Sequence, residues 1–431
     1  MTVAAAAPAG RADSPVRSIA IAGGLYFIIG FFTWLNGPLI TFVRLAFDLN
    51  EVNSFLVLMV FYVSYFVLAL PASWILRRTG LKRGLSLSLA VMAVGAAMFG
   101  EFATRRWYPG ALTGLFVIGG GLALLQTAIN PYVSILGPID GAARRIALMG
   151  ICNKAAGILA PLVIGALVMH GIGDLSASLE HATGAEREAL LNGFAAKIHL
   201  PYLAMAVVLL AAAAGILRSP LPDLRASDAN AAALAGETEG RSVFSFPHLW
   251  LGVICLFVYV GVEVMAGDAI GAYGRAFGLP LDQTKFFTAF TLAAMLAGYL
   301  AGLVFTPRIV SQAAYLRASA VMGLVLVGGA FLTKGYVSVG FVAALGFANA
   351  MMWPAIFPLA IRGLGKATET GSALLVMGIV GGAIIPQAFA VLKQHLDFQA
   401  VFAGLMAPCY LYILYYAWRG YRAPAAVPRR A

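Results

Sequence analysis

Two acids and one lysine stand in surroundings that are otherwise apolar. Glu263 and Asp268 fall in LGVICLFVYVGVEVMAGDAIGAYG, and Lys154 falls in ALMGICNKAAGILAP. Charge is costly where water is absent, so such groups mark a pathway, a relay or a partner. Glu263 can hold a proton or accept a bond from a ligand hydroxyl, or it can be the structural partner of Lys154. Asp268 can share that role or cap a solvated helix end. Lys154 can be a counter-ion or ligand donor, or it can bridge to an interface. On one continuous helix the two acids would lie about 7.5 Å apart along the axis and about 140° apart around it, so they do not form an obvious dyad.

Five amides share this apolar setting: Asn36, Gln126, Asn130, Asn153 and Asn349. Each offers donor and acceptor without charge, as a hydroxyl-rich ligand requires. Bonding between helices is the plainer alternative, and Asn130 precedes Pro131, where a helix break frees carbonyls. Trp34 and Trp353 are the candidate rings for the apolar face of such a ligand, with Tyr259 and Tyr273 behind them. Trp107, Trp250 and Trp418 fall near the ends of apolar runs and read as interface anchors.

Composition dictates the elements that position these groups. The chain has 431 residues, 61% hydrophobic and 11% charged, against about 25% charged in an ordinary soluble domain. The apolar runs do not alternate with period two, which argues for helices rather than a barrel. Twelve runs near the length needed to cross a bilayer are predicted at 19–43, 53–76, 84–103, 110–136, 146–170, 200–217, 248–271, 285–305, 312–333, 337–361, 371–392 and 398–418. The fold class expected is therefore an all-α membrane protein. An N-terminal segment (1–17) is predicted to be disordered. A polar linker at 218–246 separates two six-helix bundles, 18–217 and 247–420, and a tail follows at 421–431. A second loop, 171–198, carries GAEREALLNGFAAKIH, predicted to form a surface helix.

The net charge of +11 is a topology signal, not a nucleic-acid surface. With both termini placed in the cytoplasm, 19 of the 29 lysines and arginines fall on that side and nine on the other, as the positive-inside rule requires. Attraction to anionic lipid follows from the same charges. Cys152, Cys255 and Cys409 lie within spans and suggest neither disulfides nor a metal site; His248 and His395 are isolated. The N-terminus lacks the core of a cleavable signal. No phosphate loop ends in GK[ST], so neither a catalytic nor an ATP-driven reading is favoured, and no cofactor is expected. The chain is expected to act as a monomer.

The halves look like repeats. GGGLALLQTAINPYVSILG and ALGFANAMMWPAIFPLAIRGLG place a polar residue, a proline and a closing glycine in similar order. ALMGICNKAAGILAP and ALLVMGIVGGAIIP both carry Met-Gly-Ile, small residues and proline. Parallel six-span repeats put a site between the halves near mid-depth.

QTAINPYVSILGP (126–138), RRIALMGICNKAAG (144–157), YVGVEV (259–264), WPAIFPLAIRGLGKATETGSALLVMGIVGGAIIP (353–386) and FFTWLNGPL (31–39) together resemble the fucose–glucose–galactose symporter family of the major facilitator superfamily. RRTGLKRG (77–84) is similar to the superfamily's basic loop between spans two and three, without the usual acid before its first arginine. The resemblance implies a major facilitator fold with a pseudo-two-fold between the bundles. It also implies import of a monosaccharide (a glucose-, galactose- or fucose-type hexose, or N-acetylglucosamine) with a proton or sodium as co-substrate, in a bacterial inner membrane. Asn36, Asn130 with Pro131, and Asn153 match family positions. Gly37 and Gln126 stand where the fucose-type members carry an Asp and a Glu, and Gly150 stands where they carry a Gln. Coupling therefore is not inherited from that pattern and is expected in span seven, through Glu263 and Asp268 with Lys154. An uncoupled sugar facilitator, or a drug or lipid exporter of the same superfamily, is the alternative.

Overall fold

The computed structural model describes residues 15–135, 142–221, 243–305, 309–362, 364 and 368–422. The predicted N-terminal segment, most of the linker and the tail beyond 422 lie outside them, as does the side chain of Asn130. Twelve candidate spans occur among the described residues: span 1 Arg17–Ala46, span 2 Glu51–Leu76, span 3 Leu81–Thr104, span 4 Tyr108–Ile129, span 5 Leu148–Leu167, span 6 Gly184–Arg218, span 7 Pro247–Gly267, span 8 Leu281–Phe305, span 9 Gln312–Leu332, span 10 Gly335–Ile361, span 11 Thr370–Leu392 and span 12 Phe398–Gly420. The even number returns the chain to the face it started from. We call this the near face and the opposite one the far face. Helices Ile172–His181 and Gly184–Ala196 follow span 5, the second opening the span 6 range where a surface helix was predicted.

Spans 1–6 pack among themselves, as do spans 7–12, and the two groups meet where span 5 lies on span 8 and span 2 on span 11. Val67, Leu70, Trp74, Val207, Val208 and Val325 are exposed, which suits an exterior solvated by hydrocarbon rather than water.

The seam between spans 5 and 8 depends on missing side chains. A Cβ on Gly150 would lie 2.7 Å from the Tyr299 ring, and one on Gly165 would lie 2.5 Å from Phe286. One on Gly157 would meet Trp34 at 2.5 Å and Leu292 at 3.0 Å. Three glycines on one face thus receive four large side chains, three from span 8 and Trp34 from span 1, and the helices approach closely as small residues allow in a bilayer.

Spans 1 and 7, predicted as continuous, are broken at mid-depth. Span 1 consists of Pro15–Trp34 and Asn36–Ala46. Pro38 has no N–H to return to the carbonyl of Trp34, and the Asn36 amide donates to the carbonyl of Thr33 at 3.1 Å. The run expected as one helix over 248–271 is Pro247–Gly267 followed by Ile270–Ala276, with Asp268 and Ala269 between. There the Thr291 hydroxyl of span 8 donates to the carbonyl of Ala266 at 2.7 Å. Irregular backbone at this depth is tolerated because protein groups satisfy it. The breaks face each other: Trp34 packs on Gly267, where a Cβ would lie 2.5 Å from the indole. Span 10 is also divided, into Gly335–Asn349 and Met352–Ile361.

Candidate functional site

The broken ends of spans 1 and 7 present their side chains to spans 2, 5 and 8. Lys154 and Glu263, 109 residues apart in sequence, meet at 3.0 Å between Nζ and Oε1, with side chains only 7% and 11% exposed. They join span 5 to span 7 and hence one half to the other. The Lys154 ammonium also lies 4.2 Å from the Trp34 ring centroid, an arrangement worth about 2 kcal/mol when desolvated. The Trp34 indole N–H in turn donates to the Asn153 Oδ1 at 3.4 Å. Lys154, Glu263, Trp34 and Asn153 therefore form one cluster. The Glu263 carboxylate interacts electrostatically with the phenols of Tyr62, Tyr259, Tyr299 and Tyr410, which converge from spans 2, 7, 8 and 12.

Asp268 is only 1% exposed, so it is not a solvated helix end. The Tyr62 hydroxyl donates to its Oδ2 at 3.4 Å, while its Oδ1 is buried and unbonded. Gly37 lies against it: a Cβ there would be 3.2 Å from the Asp268 Oδ1 and 2.4 Å from the Thr288 hydroxyl. Tyr62 stacks on Tyr65 with ring centroids 6.4 Å apart, and the Tyr65 hydroxyl accepts from the Gln126 amide at 2.9 Å. A polar chain thus runs Gln126–Tyr65–Tyr62–Asp268 across spans 4, 2 and 7.

Asn36 sits at the break of span 1 and spends its amide N–H on Thr33. Asn349 is fully buried; its Oδ1 accepts from the Tyr410 hydroxyl at 2.7 Å and its Nδ2 has no partner. Trp353 is half-buried and stacks on Phe357 at 5.9 Å; its described ring contact is made there rather than in the central cluster. Tyr273 bonds Ser338 at 2.7 Å, within the second half.

Tyr62, Tyr65, Thr288 and Tyr410 were not singled out in the sequence. The signal for two of them was FYVSY at 61–65, with two tyrosines three residues apart in mid-span, but a buried tyrosine is ordinary in an aromatic-rich helix. Also missed was a charged cluster at the far face. The Glu51 carboxylate lies 2.7 Å from the Lys393 ammonium and 3.9 Å from the Arg275 guanidinium, and Arg275 donates to the Thr41 hydroxyl at 2.7 Å. The Gln387 amide donates to the carbonyl of Val52 at 3.2 Å. Across the other seam the Lys285 ammonium donates to the carbonyl of Met169 at 2.9 Å. Each of these contacts joins the two halves, so the far face is latched. Burial pushes the Arg275 guanidinium down to about 10 and lowers Lys393 as well, opposed in both by the nearby Glu51.

The arrangement can do three things. Amides and rings from both halves can address a neutral polar ligand. One ion pair ties the halves together at mid-depth. A second acid lies 7.5 Å or so nearer the far face with a phenol for company.

The sequence pattern of the Major Facilitator Superfamily matches residues 22–386. The chain is 34% identical over 401 residues to the glucose/galactose transporter of Brucella abortus, covering 92% of each chain. It is 27% identical over 385 residues to the L-fucose-proton symporter of Escherichia coli, covering 88% of this chain and 87% of the other. Among solved structures it is similar to the major facilitator transporter FucP in the outward conformation. That match has a TM-score of 0.72 and 24% identity over 94% of this chain and 98% of that one.

Proposed function

The chain belongs to the major facilitator superfamily, and we propose that within it this protein imports a monosaccharide by alternating access, coupled to an inward proton gradient. The observation that carries the reading is the Lys154–Glu263 pair, a buried link between the halves at 3.0 Å set among amides and aromatic rings. The relatives named for glucose/galactose transport are the more similar ones, so D-glucose and D-galactose come before L-fucose and N-acetylglucosamine as candidate substrates. The excess of basic residues on the near face supports placing that face, with both termini, in the cytoplasm of a bacterial inner membrane. The latched far face is then the extracellular side.

The halves, 18–217 and 247–420, are the two rocking bodies. A pyranose lays one face on Trp34. Its hydroxyls exchange bonds with Asn153, Gln126, Asn36 and Asn349, drawn from both halves. A ligand shifts an equilibrium only by its differential affinity for the two states, so contact with both halves is what lets sugar promote the exchange. Lys154 and Glu263 hold the halves together at mid-depth while one face is closed. Sodium, a hard cation, needs several oxygen ligands; Asp268 with a phenol at its side is chemistry suited to a proton.

The test is uptake of labelled galactose and glucose into vesicles of purified protein under a proton gradient, a sodium gradient or none, with fucose and N-acetylglucosamine as competitors. The reading expects accumulation under the proton gradient that a protonophore abolishes. Uptake of none of the four sugars would overturn it; sugar entry indifferent to both gradients would make the protein a facilitator.

A further inference from the structure

The two acids at the break of span 7 have different surroundings, and the difference assigns them different work. Glu263 has a full counter-charge in Lys154 at 3.0 Å. Protonating it would strand a buried ammonium without its counter-charge, which is strongly unfavourable. Asp268 is as deeply buried and has no such partner. Among the described residues no cation lies within ion-pair distance of it, its Oδ1 is unbonded, and its Oδ2 receives one long bond from Tyr62. An isolated carboxylate removed from water neutralises rather than remaining charged.

Resting on the proton-coupled reading above, we propose that Asp268 is the group that carries the coupled proton, and that Lys154–Glu263 is a latch between the halves. No element packed around Asp268 sets a cation directly against it, although the Tyr62 hydroxyl and the Gly37 backbone N–H offer donors that favour the charged form. Span 2 offers the Tyr62 hydroxyl, span 1 offers Gly37 and span 8 offers the Thr288 hydroxyl. The charges of Glu263 on its own span and Lys154 on span 5 act on it at longer range and with opposite signs. Gly37 leaves the room in which the acid sits. Asp268 is seven residues before Arg275 of the far-face latch, so closing that face is what removes it from water.

The coupling rule follows. With the far face open, a hydronium ion from that side gives its proton to a carboxylate oxygen of Asp268; an O–H bond forms and water leaves. With sugar filling the site and excluding water, only the neutral acid can be buried, so the far face closes over the sugar with the proton aboard. Once the sugar has left, water in the site solvates the charged acid and the empty carrier can return. When the near face opens, water takes the proton and the acid is again charged. Trp34, which packs on Gly267 beside Asp268, links the sugar's position to the same break.

Two experiments test this. In vesicles, Asp268→Asn is expected to lose proton-driven accumulation to the uncoupled background, a far larger loss than in sugar counterflow. Asp268→Glu restores accumulation with a displaced pH profile. In the wild type, which needs no variant to fold, a hydrophobic carbodiimide, which reacts with protonated buried carboxyls, is expected to modify Asp268 and not Glu263, as located by peptide fragmentation. Undiminished accumulation in Asp268→Asn, or modification of Glu263 instead of Asp268, would overturn the proposal. Wild-type counterflow without any response to a proton gradient would overturn it while leaving the sugar reading standing. Absence of wild-type counterflow with every sugar would remove the sugar reading itself and, with it, the coupling that rests on it.

Discussion

At the scale of single residues, the ion pair and the ring beneath it make distinct predictions. Glu263→Gln leaves Lys154 charged and alone, so melting in detergent should show a loss of about 3–5 kcal/mol. Lys154→Met should cost a similar amount. The double variant should recover most of that stability, because its non-additivity measures the pair, yet it should not recover transport. If the two single losses simply add, Lys154 and Glu263 are not partners. Trp34→Leu removes the cation contact and the bond to Asn153. Its apparent affinity for sugar should weaken by about tenfold, the equivalent of 1–2 kcal/mol, as read from the KM for uptake. The charges were legible in the sequence because each interrupts an apolar run. Their pairing was only one of the alternatives, since nothing in the sequence decides a contact between positions 109 residues apart. Tyr62 and Tyr65 were illegible for a different reason: their role comes from what they touch, not from their type.

At the scale of elements, the chain's twelve crossings could be read from length and hydrophobicity alone, but the breaks within them could not. The 248–271 run looks continuous because it contains no proline and its two acids do not shorten it. Only the Thr291 hydroxyl on the freed Ala266 carbonyl, supplied by another span, shows why the chain can leave the helix there. The Gly150, Gly157 and Gly165 face is the other element-scale device. Gly157→Val would drive a side chain into Trp34 and Leu292, so uptake should fall sharply while the protein still reaches the membrane. Gly24, with open space where its Cβ would lie, is the control. Gly24→Ala should leave uptake unchanged and raise helix stability by about 0.5–1 kcal/mol. Equal damage at both positions would mean that the glycine face does not set the seam.

At the scale of the whole molecule, the account is one of two bodies held at two depths, by Lys154–Glu263 in the middle and by the Glu51 cluster at the far face. Glu51→Gln leaves Arg275 and Lys393 facing each other without their acid, so the far face should open. Cysteines placed near the latch should then label faster with a membrane-impermeant reagent. Alkaline pH should act in the opposite direction. Arg275 and Lys393 are lowered by burial in the latched form, so their charged forms are penalised there and closing releases protons. The latched state therefore gains stability as pH rises past about 10, where the latched form has lost the Arg275 proton that the open form still holds. Labelling at high pH that is faster than that of an always-exposed control cysteine, whose thiolate fraction rises equally, would contradict this.

The most direct measurement on the central claim is the pH of a weakly buffered suspension of de-energised cells making the protein, followed as galactose is added. Sugar and proton entering together through Asp268 should raise the external pH at once. A protonophore, or Asp268→Asn, should abolish the rise. Sugar entry with no change of external pH would contradict the account.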